Sequence, residues 1–205
     1  MNNNLIISVG RQLGSGGRIV AKMLADEFGC KFYDREVLNL AAKESGFSEE
    51  FFEKNDERKG FLDHIFHMHV PFISDSSFYD NGLSQENLFR LQSDAIRKAA
   101  AESPCVFVGR CADYVLRNYK NIVTVFITAD LDDRIANIQK LNNCSPEEAK
   151  KIISNKEESR SSYYNYYTGK TWGSSASYDL CVNSSRLGLE GTKQFIADFI
   201  RKVQK

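Results

Sequence analysis

The 205-residue chain has no excess of charge: 27 Lys and Arg residues balance 27 Asp and Glu residues. This excludes broad electrostatic binding of nucleic acid or of a membrane surface, and leaves local basic pockets as the places where an anion could sit. No apolar run is long enough to cross a bilayer. The first residues, Met1-Asn2-Asn3-Asn4, lack the basic-then-apolar pattern of a signal peptide, so a cytoplasmic protein is expected. The cysteines (Cys30, Cys105, Cys111, Cys144 and Cys181) are odd in number and lack Cys-x-x-Cys spacing, which fits free thiols in a reducing compartment. No histidine follows His69, so neither a Ser-His-Asp nor a Cys-His arrangement is legible. Of His64, His67 and His69, only the first two have the spacing of one helix face. No cysteine or carboxylate set completes a metal site with them. There is no internal repeat.

What the chain does have is the stretch Leu5-Ile6-Ile7-Ser8-Val9-Gly10-Arg11-Gln12-Leu13-Gly14-Ser15-Gly16-Gly17-Arg18. An apolar β-branched run breaks into four glycines within eight residues, and a helical pattern (Ile19, Val20, Met23, Leu24, Phe28) follows at once. Strand, glycine turn and helix N-terminus together suit an anion, because the turn can direct N–H groups inward and the helix end adds partial positive charge. The alternative is a plain tight turn. The loop also lacks the lysine that a phosphate loop of the Walker type carries, followed there by Ser or Thr. Gly17 and Arg18 stand in those places.

Further on, strands and helices alternate. Strands are expected at 5–9, 31–33, 105–108, 122–127 and 178–182. Helices are expected at 17–28, from Glu36 to Gly46, at 85–102, through Val115 and Leu116, at 130–141, from Ser145 to about 164, and at 189–203. A short helix capped by Ser48 is expected at 48–53. Ser145-Pro146-Glu147-Glu148 is a strong helix start. This alternation predicts an α/β fold, a parallel sheet of five strands with helices on both faces. The irregular segment from Phe47 to Ser84 reads as an insertion over the mouth of the sheet.

Several polar residues fall at strand ends, where open α/β sheets bind ligands. Asp34 either caps the next helix or meets magnesium-bound water or an acceptor molecule. Arg110, after Gly109, is either a surface residue or a fork of donors for an acceptor phosphate. Asp113 either orients Arg110 or favours the helix dipole. Arg134 and Arg160, on helices flanking the Ser145 turn, are ordinary surface charges singly. Together they suit a lid that closes positive charge over a transferred group. The run Tyr163-Tyr164-Asn165-Tyr166-Tyr167 is either a packed aromatic patch or a surface on which a base stacks.

As an ordered set, these stretches resemble the cytidylate kinase-like family, a branch of the P-loop nucleoside monophosphate kinases. The resemblance is carried by Gly10-Arg11 with Gly14-Ser15-Gly16-Gly17-Arg18, by Phe32-Tyr33-Asp34, and by Val108-Gly109-Arg110 with Ala112-Asp113. Val125-Phe126-Ile127-Thr128-Ala129, Arg134, Arg160 with Tyr163-Tyr164, Trp172, Tyr178-Asp179-Leu180 and Asn183-Ser184-Ser185 complete it. It spans nearly the whole chain and departs from true cytidylate kinases at four places. Gly17 stands for the loop lysine, Cys111 for the aspartate of a Gly-Arg-Asp motif, Ile153 for an earlier lid arginine and Glu157 for a lid aspartate. The resemblance implies a three-layer α/β/α P-loop NTPase-like fold with a core (1–34, 85–141 and 173–205), a helical acceptor-binding insertion (35–84) and a lid (142–172).

It further implies transfer of the γ-phosphoryl of ATP, with Mg²⁺, to a nucleoside monophosphate such as CMP. Arg11, Gly14, Ser15, Gly16, Gly17 and Arg18 would then hold the donor, with Arg18 standing in part for the lysine. Asp34, Arg110 and Asp113 would hold the acceptor, and Asp34 would also reach the metal through water. Arg18, Arg110, Arg134 and Arg160 would act in catalysis. The partner is a small nucleotide or phosphorylated metabolite, with no nucleic acid and no membrane, and a homodimer is compatible with it. Two other readings stay open: a P-loop module that binds a nucleotide or phosphorylated ligand without turnover, and a kinase of a non-nucleotide small molecule.

Overall fold

The computed structural model describes residues 4–34 and 85–204. The expected acceptor-binding insertion, the helices expected at 36–46 and 48–53, and the three histidines lie outside the described residues. Chain order is β1 (Ile6–Arg11), α1 (Gly17–Glu27), β2 (Lys31–Tyr33), α2 (Gln85–Glu102), β3 (Cys105–Val108) and α3 (Ala112–Val115). Then come β4 (Ile122–Thr128), α4 (Leu131–Asn142), α5 (Pro146–Thr168), a 3₁₀ turn (Ser175–Ser177), β5 (Leu180–Asn183) and α6 (Ser184–Val203).

The five strands form one parallel sheet in the order β2-β3-β1-β4-β5. The apolar strands are buried on both faces, as a parallel sheet covered by helices requires. On one face, Val20, Leu24, Ile196 and Ile200 from α1 and α6 pack on Ile7, Val9, Val106 and Val125. On the other, Ile96 and Ala100 of α2 and Leu116 pack on Ile6, Cys105 and Phe107. A small third cluster, Ile138, Ala149 and Ile153, joins α4 to α5. The expected α/β/α layering is therefore present.

From β1 the chain crosses to one side of the sheet, and β4 lies on the other. The carboxyl end of β1 is thus the switch point at which such sheets open a crevice.

Several boundaries differ from expectation. β1 runs to Arg11, two residues past Val9, because the long β4 continues beside it and pairs Arg11 with Ile127. Arg11 is thereby fixed on a strand rather than placed in a loop. α5 continues to Thr168, one turn beyond 164. It is held at its start by the reciprocal Ser145–Glu148 capping box and stopped by Gly169 at φ +68°. The tyrosine run is consequently helical, which puts Tyr163, Tyr164 and Tyr167 within one turn of each other. α6 starts at Ser184, capped by Asn183 and broken by the left-handed Gly188, and not at 189. β5 begins at Leu180 rather than 178, and the helix at Val115 is a single turn.

All five cysteines are free, and burial raises the thiols of Cys105 and Cys111 to about 12. Among the described residues, no helix is long and apolar enough to cross a membrane.

Candidate active site

The turn after β1 is shaped from outside by side chains. The carbonyl of Leu13 accepts from Arg134 Nε at 2.9 Å, that of Gly14 from Asn137 Nδ2 at 2.8 Å, and that of Ser15 from Ser184 Oγ at 2.8 Å. In a trans peptide the following N–H points the opposite way. The amides of Gly14, Ser15 and Gly16 therefore turn away from those three side chains. Gly14 and Gly16 are left-handed, at φ +82° and +71°, which curls successive N–H groups into a nest that suits an anion. Gly16 caps α1 without a side-chain hydrogen bond, and among the described residues the N–H groups of Gly14 and Gly16 make none.

Gly14 has a second constraint. A Cβ there would lie 2.7 Å from the carbonyl oxygen and 2.9 Å from the Cα of Arg134, both backbone atoms. Gly14→Ala is accordingly expected to cost about 2–4 kcal/mol, combining left-handed strain with an overlap that cannot swing aside. Urea unfolding would measure it.

Four arginines gather at the mouth of this turn. Arg11 ends β1. Burial and the nearby Arg160, Arg110 and Arg18 lower its pKa to about 9, against the opposing pull of Asp34. Burial is the larger cause, and the neighbouring arginines add to it. Arg160, on α5, donates from Nη1 to the Arg11 carbonyl at 3.4 Å, which brings α5 onto the loop. Arg110 follows Gly109. It and Cys111 are both left-handed, at φ +58° and +54°, the kind of backbone strain that collects at functional sites. Its guanidinium stands 5.4 Å from the ring centroid of Tyr163.

Arg18 turns towards β2 and grips Asp34 with Nε at 3.0 Å and Nη2 at 2.5 Å. Its fork thus points to Asp34 rather than into the glycine turn. Asp34 is only 5% exposed, and its charge opposes the lowering of the Arg11 pKa.

Arg134 does not lie on a lid surface. It is 4% exposed, supports the turn from behind through the Leu13 carbonyl, and places Nη2 2.8 Å from Glu157 Oε1. The same Glu157 oxygen accepts from the Leu13 N–H at 3.3 Å. Arg134 and Glu157 thus lock loop, α4 and α5 together.

Asp113, in the first turn of α3, accepts from the Tyr164 hydroxyl at 2.7 Å and fastens the far half of α5 to the core. Burial raises its pKa, and the Tyr164 hydroxyl opposes the rise. The folded state therefore holds this proton more tightly than the unfolded chain, and stability falls as pH rises above the ordinary carboxylate range. Without the hydroxyl the folded pKa climbs further. Tyr164→Phe should consequently lose about 1–3 kcal/mol at pH 8 and less at pH 5. Denaturant titrations at the two pH values would check it.

Sequence reasoning missed Asn137 and Ser184 as loop supports. Asn137 lies one helical turn after Arg134, which is a weak signal. For Ser184 the only signal was its place in the Asn183-Ser184-Ser185 stretch.

The donor set is that of an anion site. The turn's amides and the arginines fit a nucleotide's phosphates. A directly held metal fits poorly: Arg18 stands where the hydroxyl residue of a Walker loop would be, and the Asp34 carboxylate is engaged by Arg18. Among the described residues no group of three His, Cys, Asp or Glu side chains converges.

Fold and site together define a three-layer α/β/α domain of the P-loop kinase type. Residues 6–186 match the cytidylate kinase-like family, and the chain belongs to that family. It is 28% identical over 191 residues to a cytidylate kinase of Pyrococcus horikoshii, covering 92% of this chain and 84% of that one. Among solved structures, an uncharacterized protein from Eubacterium ventriosum superposes with a TM-score of 0.74 at 24% identity, covering 97% and 99% of the two chains. Shikimate kinase from Bacteroides thetaiotaomicron gives 0.54 at 15% identity, covering 96% and 98%.

Proposed function

We propose that the chain is a cytoplasmic phosphotransferase that moves the γ-phosphoryl of ATP to a small acceptor, a nucleoside monophosphate such as CMP. The observation that carries this reading is the glycine turn, whose amides face away from the three side chains holding its carbonyls, with four arginines around its mouth. Membership in a kinase-like family and likeness to kinases of this fold support it.

In this reading the amides of Gly14 and Gly16 hold the donor phosphates at the N-terminus of α1, joined by those of Ser15 and Gly17, which here donate to the Gln12 carbonyl at 3.4 Å and to Ser15 Oγ at 3.3 Å. Arg110 and Asp34, at the ends of β3 and β2, face the acceptor. Arg160 comes over the transferred group on α5. Such chemistry runs on positioning and on positive charge spread over the migrating phosphoryl, which matches a site built mainly from arginines. Mg²⁺ would arrive with ATP as part of the substrate.

A coupled ADP-release assay across nucleoside monophosphates tests the proposal. Acceptor-dependent release with one or a few of them is the expected result. Release only with another phosphate acceptor from a metabolite panel would move the chain to a non-nucleotide kinase. ATP binding without any acceptor-dependent release would make it a binding module.

A further inference from the structure

Gly17 is helical and needs no left-handed backbone, so its lack of a side chain calls for another cause. That cause is Arg11. A Cβ on Gly17 would lie 2.6 Å from Arg11 Cβ and 3.2 Å from Arg11 Cγ. These are the near atoms of a strand residue and cannot swing aside. At its other end, the Arg11 guanidinium lies against Gly109, where a Cβ would collide with Nη1 and stand 3.4 Å from Cζ. The Arg11 side chain therefore runs from the first turn of α1 to the end of β3. It bridges the turn that holds the donor and the strand end that carries Arg110. Two glycines flank it, and each would overlap it if given a side chain.

We infer that Arg11 is the loop's phosphate-neutralising cation: it takes over, from the end of β1, the task that a lysine at position 17 performs in a Walker loop, and its ligand is the donor's terminal phosphates. The inference rests on the phosphotransferase reading of the same site and names the residue that makes a lysine-less loop workable. An arginine suits this position because its planar fork presents two parallel donors to a phosphate, where a lysine offers a point charge. The depressed pKa of Arg11 is consistent with this, since the cluster is poised to gain an anion. The geometry also explains why Arg18 is not the substitute. Arg18 is committed to Asp34, and Arg11 already occupies the space beside Gly17.

A swap tests the inference. Wild type, Arg11→Ala, Arg11→Lys, Gly17→Lys and the double variant Arg11→Gly/Gly17→Lys are titrated calorimetrically with ATP and with inorganic tripolyphosphate, and circular dichroism and Tm report folding. Glycine is needed at 11 in the double variant because the overlap begins at Cβ. Arg11→Ala is expected to weaken both ligands about 10–100-fold, the worth of one charge-assisted contact. Gly17→Lys alone should also weaken them, since its stem collides with Arg11. The double variant should recover most of the loss, and Arg11→Lys should fall between wild type and Arg11→Ala.

Folded Arg11→Ala that binds both ligands like wild type would overturn the inference and leave the phosphotransferase reading standing. So would a folded double variant no better than either parent. Should the double variant fail to fold, Arg11→Ala and Arg11→Lys decide the matter. A wild-type chain that binds neither ATP nor tripolyphosphate would overturn the functional reading, and this inference with it.

Discussion

Arg134→Ala should destabilise the protein by about 3–5 kcal/mol, the range for removing one partner of a buried ion pair. The side chain is 4% exposed, donates to the Leu13 carbonyl and faces Glu157 at 2.8 Å. Truncation leaves Glu157 as a largely buried carboxylate facing a void and leaves the Leu13 carbonyl without its donor. For a chain of this size the loss corresponds to a fall in Tm of about 10 °C, read by calorimetry. Arg134→Ala/Glu157→Ala should lose less than the sum of the two single variants, because the double variant buries no unpaired charge. An Arg134 acting only over the transferred group would instead leave Tm unchanged and lower kcat.

Arg160→Ala should do the reverse. It is expected to lower kcat about 10²–10³-fold, the usual effect of removing one preorganised donor to a developing charge, while Tm moves little. The residue sits on α5 between the two fastenings of that helix, Glu157 with Arg134 and Tyr164 with Asp113, and reaches the carbonyl of Arg11. The fastenings carry the stability, and Arg160 adds charge to the mouth of the loop. Steady-state kinetics with saturating ATP and acceptor, set beside a thermal melt, separates the two roles. A kcat within a few-fold of wild type would remove Arg160 from the catalytic set.

The fold was legible because its signals are local. Apolar β-branched runs alternate with amphipathic helices, and the glycine turn and the Ser145 box punctuate them. Boundaries shifted where a neighbour decided them. β4 drew β1 out to Arg11, and the αL stop at Gly169 let α5 run through the tyrosines.

The site was legible in its ingredients and less so in its arrangement. Asp34, Arg110 and Arg160 lie around the loop. Sequence could not tell that Arg18 would spend its fork on Asp34, since residues 16 apart meet only through sheet topology. Nor could it tell that Arg134 faces inward: an arginine on a helix is normally solvated, and here Glu157, on the next helix, takes it into the interior. The role of Arg11 was the least visible. Its evidence is what two glycines lack, and distances to absent atoms exist only in three dimensions.

The central claim is that the turn from Gly10 to Arg18 is a phosphate site served by arginines in place of a lysine. Calorimetric titration of the wild-type chain with ATP, repeated at rising salt, tests it most directly. One saturable site is expected, whose affinity falls as salt screens the arginine cluster, and which Arg11→Ala weakens. Absence of heat together with absence of a thermal shift at millimolar ATP would contradict it.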